Sequence, residues 1–464
     1  MVIILDKSKF TSLNLQPDLL ENLSTLGYEM MTPIQQLSLP NVLQGKDVIA
    51  QGKTGSGKTA AFGLGLLQKL NVGEFKVQSL VLCPTRELAD QVSSELRKLA
   101  RSIPNVKILT LCGGAPFGPQ IGSLAHGAHI VVGTPGRIEE HLRKGTLKLS
   151  QVKTLVLDEA DRMLDMGFQD TIDQIIEQVP TQRQTLLFSA TYPDEIADIA
   201  KRVMKNPTMV EAPSIEEKNT IKQYFYHTET DDQRMSALRL LLAKHQPSST
   251  LVFCNTKLDA QAVADELVYY GYYALAIHGD LDQRERDQAL IRFANGSISV
   301  LVATDVAARG IDIEALDLVI NFNIAHDAQV HVHRVGRTGR AGNQGIACSF
   351  FNERELPRVK VLNVGIDNTQ ADLLPAEHYL DKPIIKPKMT TLKIDGGKKQ
   401  KLRPGDIVGG LTGKGGIAGD KIGKIAVASN WSYVAVESGL VKKALNKIKY
   451  DKLKGKSFRV RILS

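Results

Sequence analysis

The sequence has few cysteines and no long apolar run. Its four cysteines, Cys83, Cys112, Cys254 and Cys348, are widely separated and form no C-x-x-C pair, which predicts buried core residues in a reducing compartment and not a disulfide framework or a zinc site. Runs such as HIVV and TLVL are far shorter than the roughly 20 residues of a membrane span. The N-terminus, MVIILDKSKF, becomes charged after four apolar residues, unlike a signal peptide. We therefore expect a soluble, cytoplasmic protein with no membrane partner.

Excess positive charge is also absent from most of the chain. Residues 385–464 contain 19 Lys and Arg against 5 Asp and Glu, whereas residues 1–384 contain 39 against 45. A basic block of this kind is the electrostatic footprint expected of a protein that binds a phosphate backbone. The alternative is a solvated, lysine-rich tail that only improves solubility.

Short apolar runs alternate with amphipathic segments through most of the 464 residues. Runs such as SLVLCP, HIVVGTP and TLVLDEAD have the near-continuous Val, Ile and Leu content of parallel strands covered on both faces. The same pattern restarts at STLVFCNT, after a polar, proline-containing stretch at residues 206–220 that predicts a linker. The sequence therefore predicts two doubly wound α/β domains, at residues 1–208 and 219–362.

The basic C-terminal block, residues 387–464, has a different order of elements. It follows a second polar stretch at residues 367–388 and contains TTLKID, RPGDIVGGL, IGKIAVA, SYVAVE, LVKKALNKI and SFRVRIL, which we interpret as strand, helix, strand, strand, helix and strand. This βαββαβ order is that of an RRM-like domain, a common RNA-binding module. Because these strands carry regular apolar residues that must pack, the solubilising-tail alternative is disfavoured.

The segment GKTGSGKT, residues 52–59, follows an apolar run and precedes an apolar-periodic one. This is the G-x-x-x-x-G-K-T pattern in its strand–loop–helix context, where backbone N–H groups and a helix N-terminus surround phosphate oxygens. We expect Lys58 to reach the β- and γ-phosphates of ATP and the Thr59 hydroxyl to bind Mg²⁺. The remaining loop residues expected to contact the nucleotide are Gly52, Lys53, Thr54, Gly55, Ser56 and Gly57.

The run TLVLDEAD ends an apolar strand in the carboxylates of Asp158, Glu159 and Asp161. Doubly wound sheets bind ligands at this end of their strands. Asp158 is suited to hold Mg²⁺ through water, and Glu159 to orient and deprotonate an attacking water.

In HVHRVGRTGR, residues 331–340, Arg334, Arg337 and Arg340 recur every three residues. On a helix this spacing places three guanidinium groups along one face. One hypothesis is that they stabilise charge developing on a γ-phosphate across a cleft. A solvated basic helix face is the alternative that the spacing alone leaves open.

Taken together and in this order, the motifs of residues 1–360 resemble those of DEAD-box ATP-dependent RNA helicases. GYEMMTPIQ resembles the family's Q motif, with Met31 where proline is usual. The resemblance implies two tandem RecA-like domains that close on ATP, Mg²⁺ and RNA. It implies that Gln35 recognises adenine, that Phe10 stacks on the base, and that Arg337 and Arg340 act as arginine fingers beside the catalytic Lys58 and Glu159.

The same resemblance assigns roles to the motifs PTRELA, GG, TPGR, SAT, HGDLDQRER and ATDVAARGID. It places Gly310 and Asp312 toward the nucleotide, and it makes Ser189 and Thr191 the link between hydrolysis and strand separation. The residues implied to lie toward RNA are Thr85, Arg86, Gly113, Gly114, Thr134, Pro135, Arg137, Gln283, Arg286, Thr304 and Arg309.

The C-terminal stretch IDGGKKQKLRPGDIVG resembles the RNA-binding domain of the DbpA-type subfamily, which implies docking on a hairpin of large-subunit ribosomal RNA and a role in ribosome assembly. Lys398, Lys399, Lys401 and Arg403 crowd the predicted start of a helix at Pro404, a favourable phosphate site. An alternative is base stacking on Trp431 and Tyr433, but Lys393 stands where the other aromatic of a standard RRM sheet is expected. We favour the basic residues.

Two other functions remain open at this point. One is an ATP-gated RNA clamp that remodels RNA without productive unwinding. The other is a processive DNA helicase, which the DEAD motif, the Q motif and the RRM-like order disfavour. Stimulation of ATP turnover by RNA but not by DNA separates the last hypothesis from the first two.

Overall fold

A computed structural model describes residues 8–52, 55–212, 221–308, 316–339, 344–362 and 371–463. The chain divides into two compact units, Met1–Glu217 and Lys218–Ser464. Among the described residues, every helix is too short or too polar to cross a lipid bilayer.

The first unit is built on a parallel sheet of seven strands in the order β3-β4-β2-β5-β6-β1-β7. The strands are β1 (Val48–Gln51), β2 (Ser79–Leu82), β3 (Ile108–Leu111), β4 (Ile130–Gly133), β5 (Thr154–Asp158), β6 (Gln184–Ser189) and β7 (Thr208–Glu211). The helices are α1 (Pro17–Thr25), α2 (Pro33–Leu43), α3 (Lys58–Gln68), α4 (Arg86–Leu99), α5 (Phe117–Ala125), α6 (Pro135–Arg143), α7 (Ala160–Asp165), α8 (Gln169–Glu177) and α9 (Asp194–Val203).

Alternate residues of the central strands enter separate hydrophobic cores. In β2, Val81 belongs to one core, while Leu80 and Leu82 belong to the other. A sheet covered on both faces needs apolar side chains at every position, which explains the continuous apolar runs in the sequence. The doubly wound prediction for this region is confirmed.

The carboxyl ends of these strands are aligned. Gln51 is paired with Ser189, and both Leu82 and Leu111 are paired with Gly133. Because the strands are parallel, the loops that follow them lie along one edge of the sheet, where such folds bind their ligands.

The second unit contains a parallel sheet of six strands in the order β10-β11-β9-β12-β13-β8. The strands are β8 (Ile221–His227), β9 (Thr250–Cys254), β10 (Ala274–Ile277), β11 (Val300–Thr304), β12 (Leu318–Asn321) and β13 (Gly345–Phe351). The helices are α10 (Asp231–His245), α11 (Lys257–Tyr269), α12 (Gln283–Ala294), α13 (Asp305–Ala308), α14 (Ala328–Val335) and α15 (Leu356–Leu362). This sheet also separates two cores, so the second doubly wound prediction is confirmed.

The same unit ends in a small antiparallel sheet, ordered β15-β16-β14-β17. The elements are β14 (Met389–Ile394), α16 (Pro404–Thr412), β15 (Ile422–Val427), β16 (Ser432–Glu437), α17 (Val441–Tyr450) and β17 (Val460–Leu463). Their order in the chain is the predicted βαββαβ. Leu392 and Ile394 of β14 pack with Ile407 and Ile448 of the two helices, so the helices cover one face of the sheet.

Candidate nucleotide site and RNA-binding surfaces

The side chain of Lys58 bonds back to the loop that follows β1. Lys58 begins α3, is only 6% exposed, and donates from Nζ to the carbonyl oxygen of Gly52 at 2.9 Å. Gly57 precedes it with a φ of +92°, a left-handed conformation that favours glycine. Ser56 and Thr59 are half-buried beside it, and Gly55 is exposed. Lys53 and Thr54 lie outside the described residues. The ammonium group is therefore held within the loop where phosphate oxygens are expected.

Gln35 reaches the same loop from α2. Its Oε1 accepts from the backbone N–H of Thr32 at 2.9 Å, and its Nε2 donates to the Gly57 carbonyl oxygen at 3.0 Å. Phe10 is 2% exposed and lies edge-on to Tyr28, with 6.1 Å between the ring centroids. The structure thus brings Gln35 to the phosphate loop, whereas little of the Phe10 ring is exposed for stacking. The adenine contacts of both residues stay predictions.

Two carboxylates occupy the end of β5. Asp158 is 2% exposed, and its Oδ1 has no hydrogen-bond partner among the described residues. Burial raises the pKa of Asp158 to about 7, although the Lys58 charge acts in the opposite direction. Glu159 has a φ of +52°, and its Oε2 accepts from Nη1 of Arg162 at 2.6 Å. A buried oxygen without a partner requires a ligand or solvent.

Asp161 connects this site to β6. Its Oδ2 accepts from the backbone N–H and the hydroxyl of Thr191, both at 3.0 Å, and from the N–H of Ala190 at 3.1 Å. The carbonyl oxygen of Ser189, in turn, accepts from the N–H of Gly52 at 2.9 Å. The SAT segment therefore contacts both the acidic cluster and the phosphate loop, and its coupling role stays a prediction.

The predicted RNA-facing residues of the first unit follow β2, β3 and β4. Thr85 caps α4 by accepting from Leu88 N–H at 3.2 Å, and the exposed Gly114 has a φ of +71°. Arg137 donates to the Ala115 carbonyl oxygen at 3.0 Å, so it braces the GG loop. The other predicted residues at this edge are Arg86, Gly113, Thr134 and Pro135. All of them lie in or just after the loops at the carboxyl ends of β2, β3 and β4, although Thr85 and Pro135 are buried, and their contacts with RNA stay predictions.

In the second unit, Arg334 has a structural position. It is 1% exposed and donates to both carboxylate oxygens of Asp305 at 2.7 Å, to Asn255 Oδ1 at 2.8 Å and to the Asn323 carbonyl oxygen at 2.8 Å. The expected helical face does not include Arg337, which lies beyond the end of α14, and Arg340 lies outside the described residues. Helix α14 ends at Val335, because the Arg337 carbonyl accepts from the Leu316 N–H at 3.2 Å and draws the chain toward that segment.

The remaining predicted residues of this domain are placed as follows. Gln283 begins α12 and donates to Asp287 at 2.7 Å, Arg286 lies one turn along the same helix, and Thr304 ends β11. Arg337 is 6% exposed. The predicted residues outside the described part of the chain are Arg309, Gly310, Asp312 and Arg340.

The basic loop of the C-terminal sheet domain, defined as Lys398, Lys399, Lys401 and Arg403, precedes α16 as expected. All four residues are exposed. The backbone N–H groups of Lys398 and Lys399 donate to the carbonyl oxygens of Ala428 and Ser429, both at 2.9 Å, which fixes the loop against the β15–β16 turn. Four cations are thus presented at the start of a helix, where the peptide dipoles also favour phosphate.

Comparison with known protein families agrees with this geometry. The DEAD/DEAH box helicase model matches residues 32–199, the helicase conserved C-terminal domain matches 233–342, and the DbpA RNA binding domain matches 391–462. The chain belongs to the DEAD-box RNA helicase family. This ATP-dependent RNA helicase is therefore an RNA-stimulated ATPase, and RNA is its partner.

Individual relatives cover between three quarters and nearly all of the helicase. It is 55% identical over 98% of its length to the Escherichia coli protein named ATP-dependent RNA helicase DbpA, of which it covers 99%. It is 46% identical to the DEAD-box ATP-dependent RNA helicase CshA of Geobacillus kaustophilus, over 75% of this chain and 74% of that protein. Saccharomyces cerevisiae Dbp5 bound to RNA and ADP BeF3 matches 81% of the helicase and 97% of that chain, at 28% identity and a TM-score of 0.72.

Two features of the helicase depend on its tertiary fold. Lys454 donates to the Lys401 carbonyl oxygen at 3.0 Å and so adds a cation to the basic loop from a distant part of the sequence. Tyr433, considered above as a stacking residue, is 1% exposed, as is Lys393. The sheet face is therefore not a free platform for bases in this structure.

Proposed function

We propose that this helicase locally unwinds short RNA duplexes and that its C-terminal domain targets it to large-subunit ribosomal RNA of the 23S type, during assembly of a 50S-type subunit in the cytoplasm. The observation that carries the proposal is the exposed basic loop at the start of α16, within a domain that matches the DbpA RNA binding domain. Likeness to the E. coli relative extends over that domain, and four buried free cysteines suit a reducing compartment.

The nucleotide site fits ATP with Mg²⁺. The buried Oδ1 of Asp158 has no partner among the described residues, and the Thr59 hydroxyl lies one residue beyond Lys58 at the start of α3. Oxygen ligands of these two kinds suit Mg²⁺, which keeps several of its waters when bound. Thr59 would hold the ion directly and Asp158 through water. When bound, the ion neutralises charge on the phosphate oxygens.

The chain's own residues would then act on the γ-phosphate and the attacking water. Lys58, already within the loop, would bind phosphate oxygens, and Glu159 would orient the water and accept its proton. The ion pair with Arg162 orients the Glu159 carboxylate. In this proposal, closure of the second RecA-like domain adds Arg337 and Arg340, so that turnover depends on bound RNA.

Recognition of RNA by the basic loop is favoured over recognition by the sheet. Phosphate contacts need exposed cations, which the loop provides, whereas base stacking needs exposed aromatic faces. Tyr433 is 1% exposed and cannot offer its ring without a rearrangement. In this proposal, the basic loop therefore binds ribosomal RNA and directs the helicase to it.

The proposal is tested by steady-state ATP turnover of the full-length protein with no RNA, unrelated RNA, DNA and fragments of large-subunit ribosomal RNA. The test variant combines Lys398→Gln, Lys399→Gln, Lys401→Gln and Arg403→Gln. Its control combines Lys442→Gln, Lys443→Gln, Lys449→Gln and Lys452→Gln, which removes four exposed cations at or just beyond α17 of the same domain.

We expect one ribosomal fragment to stimulate turnover at far lower concentration than unrelated RNA, and the loop variant to lose that preference. Each lost phosphate contact should also reduce the slope of log affinity against log salt by about 0.7–0.9. The control should keep the preference. Equal stimulation by every RNA, unchanged in the loop variant, would refute targeting. Equal stimulation by DNA would refute specificity for RNA.

A further inference from the structure

The RRM-like sheet is covered on both faces. Its helices cover the face that carries Leu392 and Ile394. On the opposite face, Lys393 of β14 is paired with Tyr433 of β16, and each is 1% exposed. Thr391 of the same face is fully buried. Something other than the domain's own helices therefore packs on the face that an RRM usually presents to RNA.

That second cover is the region of α12 in the preceding parallel-sheet domain. Thr391 Oγ1 accepts from Nδ2 of Asn295 at 2.9 Å and lies 2.7 Å from Oγ of Ser297. Asn295 and Ser297 immediately follow α12, and both are buried. These are side chain contacts between two domains of one unit, and they fix where the end of α12 meets the sheet.

The beginning of α12 meets the same domain at Trp431. The guanidinium carbon of Arg284 lies 4.9 Å from the centroid of the Trp431 ring, and Nζ of Lys393 lies 5.1 Å from it. Both distances are within the range of a cation–π interaction. We call the residues Arg284, Asn295, Ser297, Thr391, Lys393 and Trp431 the docking seam.

The docking seam is polar, and it contains at least one unsatisfied group. The Tyr433 hydroxyl is buried beside it without a hydrogen-bond partner among the described residues. Domains of one chain that meet through a polar interface are expected to move relative to each other more readily than domains joined by a large apolar area. Removal of a single contact should therefore loosen the seam without unfolding either domain.

A continuous set of contacts joins the basic loop to the RNA-facing start of α12. The loop backbone is bonded to Ala428 and Ser429, and Ala428 N–H donates to the Trp431 carbonyl oxygen at 2.9 Å. Trp431 contacts Arg284, whose neighbours in the first turn of α12 are the predicted RNA contacts Gln283 and Arg286. These contacts would thus fix the position of RNA bound at the loop relative to RNA bound at α12.

We propose that the docking seam positions RNA for the helicase core, with Arg284 and Trp431 as its central pair. The RRM-like sheet face is a docking surface for the second RecA-like domain, and it transmits binding at the basic loop to Gln283 and Arg286. This inference rests on the proposed function, because it requires an RNA that occupies the loop. Arg284 is a positioning residue that acts through α12.

Trp431 is the only tryptophan in the chain, so its fluorescence reports the docking seam directly. The experiment uses full-length wild type, Arg284→Ala, Arg284→Lys and Thr391→Val, with Arg354→Ala as a matched control at another exposed arginine of the same domain. Acrylamide quenching of Trp431 is measured without RNA. ATP turnover is then measured against three RNAs: a 23S-type hairpin joined to a short duplex, the hairpin alone and an unrelated duplex.

We expect Arg284→Ala and Thr391→Val to increase quenching. They should raise the concentration of the joined RNA needed for half-maximal turnover by roughly two- to fivefold, the factor that one exposed cation–π contact represents. Direct binding of the hairpin alone and turnover with the unrelated duplex should not change. Arg284→Lys should restore both properties, and Arg354→Ala should resemble wild type.

Unchanged quenching in both seam variants would show that the docking seam does not form and would overturn the inference. Increased quenching with an unchanged response to the joined RNA would overturn the coupling role and leave a structural contact. If wild type itself failed to prefer the joined RNA, the proposed function would fail and the coupling with it. That result is distinguishable because it appears without any substitution.

Discussion

Thr191 donates both its backbone N–H and its hydroxyl to the same carboxylate oxygen of Asp161, each at 3.0 Å. Burial alone would raise the pKa of Asp161, but the hydrogen bonds of Thr191 and Ser189 and the positive charge of Lys58 together outweigh it, so the pKa is lowered. Asp161 is thus held as a carboxylate that fixes the SAT segment to the acidic cluster. Movement of one of these elements must displace the other.

The Thr191 hydroxyl can be removed at nearly constant side chain volume. In Thr191→Val, the backbone bond to Asp161 remains, while one hydrogen bond to a charged group, of about 1.5–3 kcal/mol, is lost. We expect ATP turnover with RNA to stay within about threefold of wild type and duplex unwinding to fall by roughly tenfold or more, since each 1.4 kcal/mol or so of lost free energy corresponds to a factor of ten. Parallel ATPase and strand-displacement assays measure both, and equal losses in the two would contradict a coupling role.

The close contact between Gly57 and Gln35 permits a second test. A Cβ at Gly57 would lie 2.5 Å from Nε2 of Gln35, and the backbone there has a φ of +92°. Gly57→Ala should therefore displace Gln35 and weaken ATP binding by tenfold or more. It should also lower the free energy of unfolding by roughly 1–2 kcal/mol, because the left-handed conformation disfavours alanine. Nucleotide titration by calorimetry measures the affinity.

The matched control is Gly27→Ala. Gly27 has a φ of +77°, but a Cβ added there would have no neighbour within 4 Å, so this variant isolates the backbone effect. It should lower the thermal unfolding temperature without changing nucleotide affinity. Equal affinities in the two variants would show that the Gln35 contact is irrelevant to ATP.

Local sequence patterns were sufficient to predict much of this molecule. The position of Lys58 at a strand–loop–helix junction follows from glycine spacing and flanking apolar runs, because both features are determined within a few residues. The role of Arg334 does not follow from spacing. Its partner Asp305 is 29 residues away in the chain, and only the tertiary fold brings the two side chains together.

The burial of the second face of the RRM-like sheet also could not be predicted from local sequence patterns. Thr391 and Lys393 alternate with Leu392 and Ile394, and that alternation predicts a strand with one polar, exposed face. In the structure the polar side chains are also buried: Asn295 and Ser297, just after α12, contact Thr391, and Lys393 lies against the Trp431 ring. No local pattern in β14 identifies the partner, since polar seams and solvent-exposed faces have the same composition.

The two described arginines of the HVHRVGRTGR motif should respond differently to substitution by lysine. Arg334→Lys loses the two-point contact with Asp305 and leaves buried polar groups unpaired, so we expect a loss of about 3–5 kcal/mol in the unfolding free energy of its domain. Arg337→Lys should reduce RNA-stimulated turnover by roughly 10³-fold, the loss expected for the proposed arginine finger. Urea unfolding and steady-state ATPase assays separate the two. Full turnover in Arg337→Lys with intact RNA binding would exclude its catalytic role.

Stability of the second unit should depend on pH through His331. Burial, followed by the charge of Arg334, lowers the pKa of His331 to about 4, and its Nε2 lies 3.0 Å from Oε1 of Gln223. Because the unfolded chain binds a proton near pH 6.5 and the folded protein does not, this group stabilises the fold above pH 6.5 and loses that contribution as the pH falls toward 4. The full change amounts to about 3 kcal/mol. Urea unfolding of wild type and His331→Gln between pH 4.5 and 7.5 should give curves that converge as the pH falls, whereas parallel curves would show that His331 is not the titrating group.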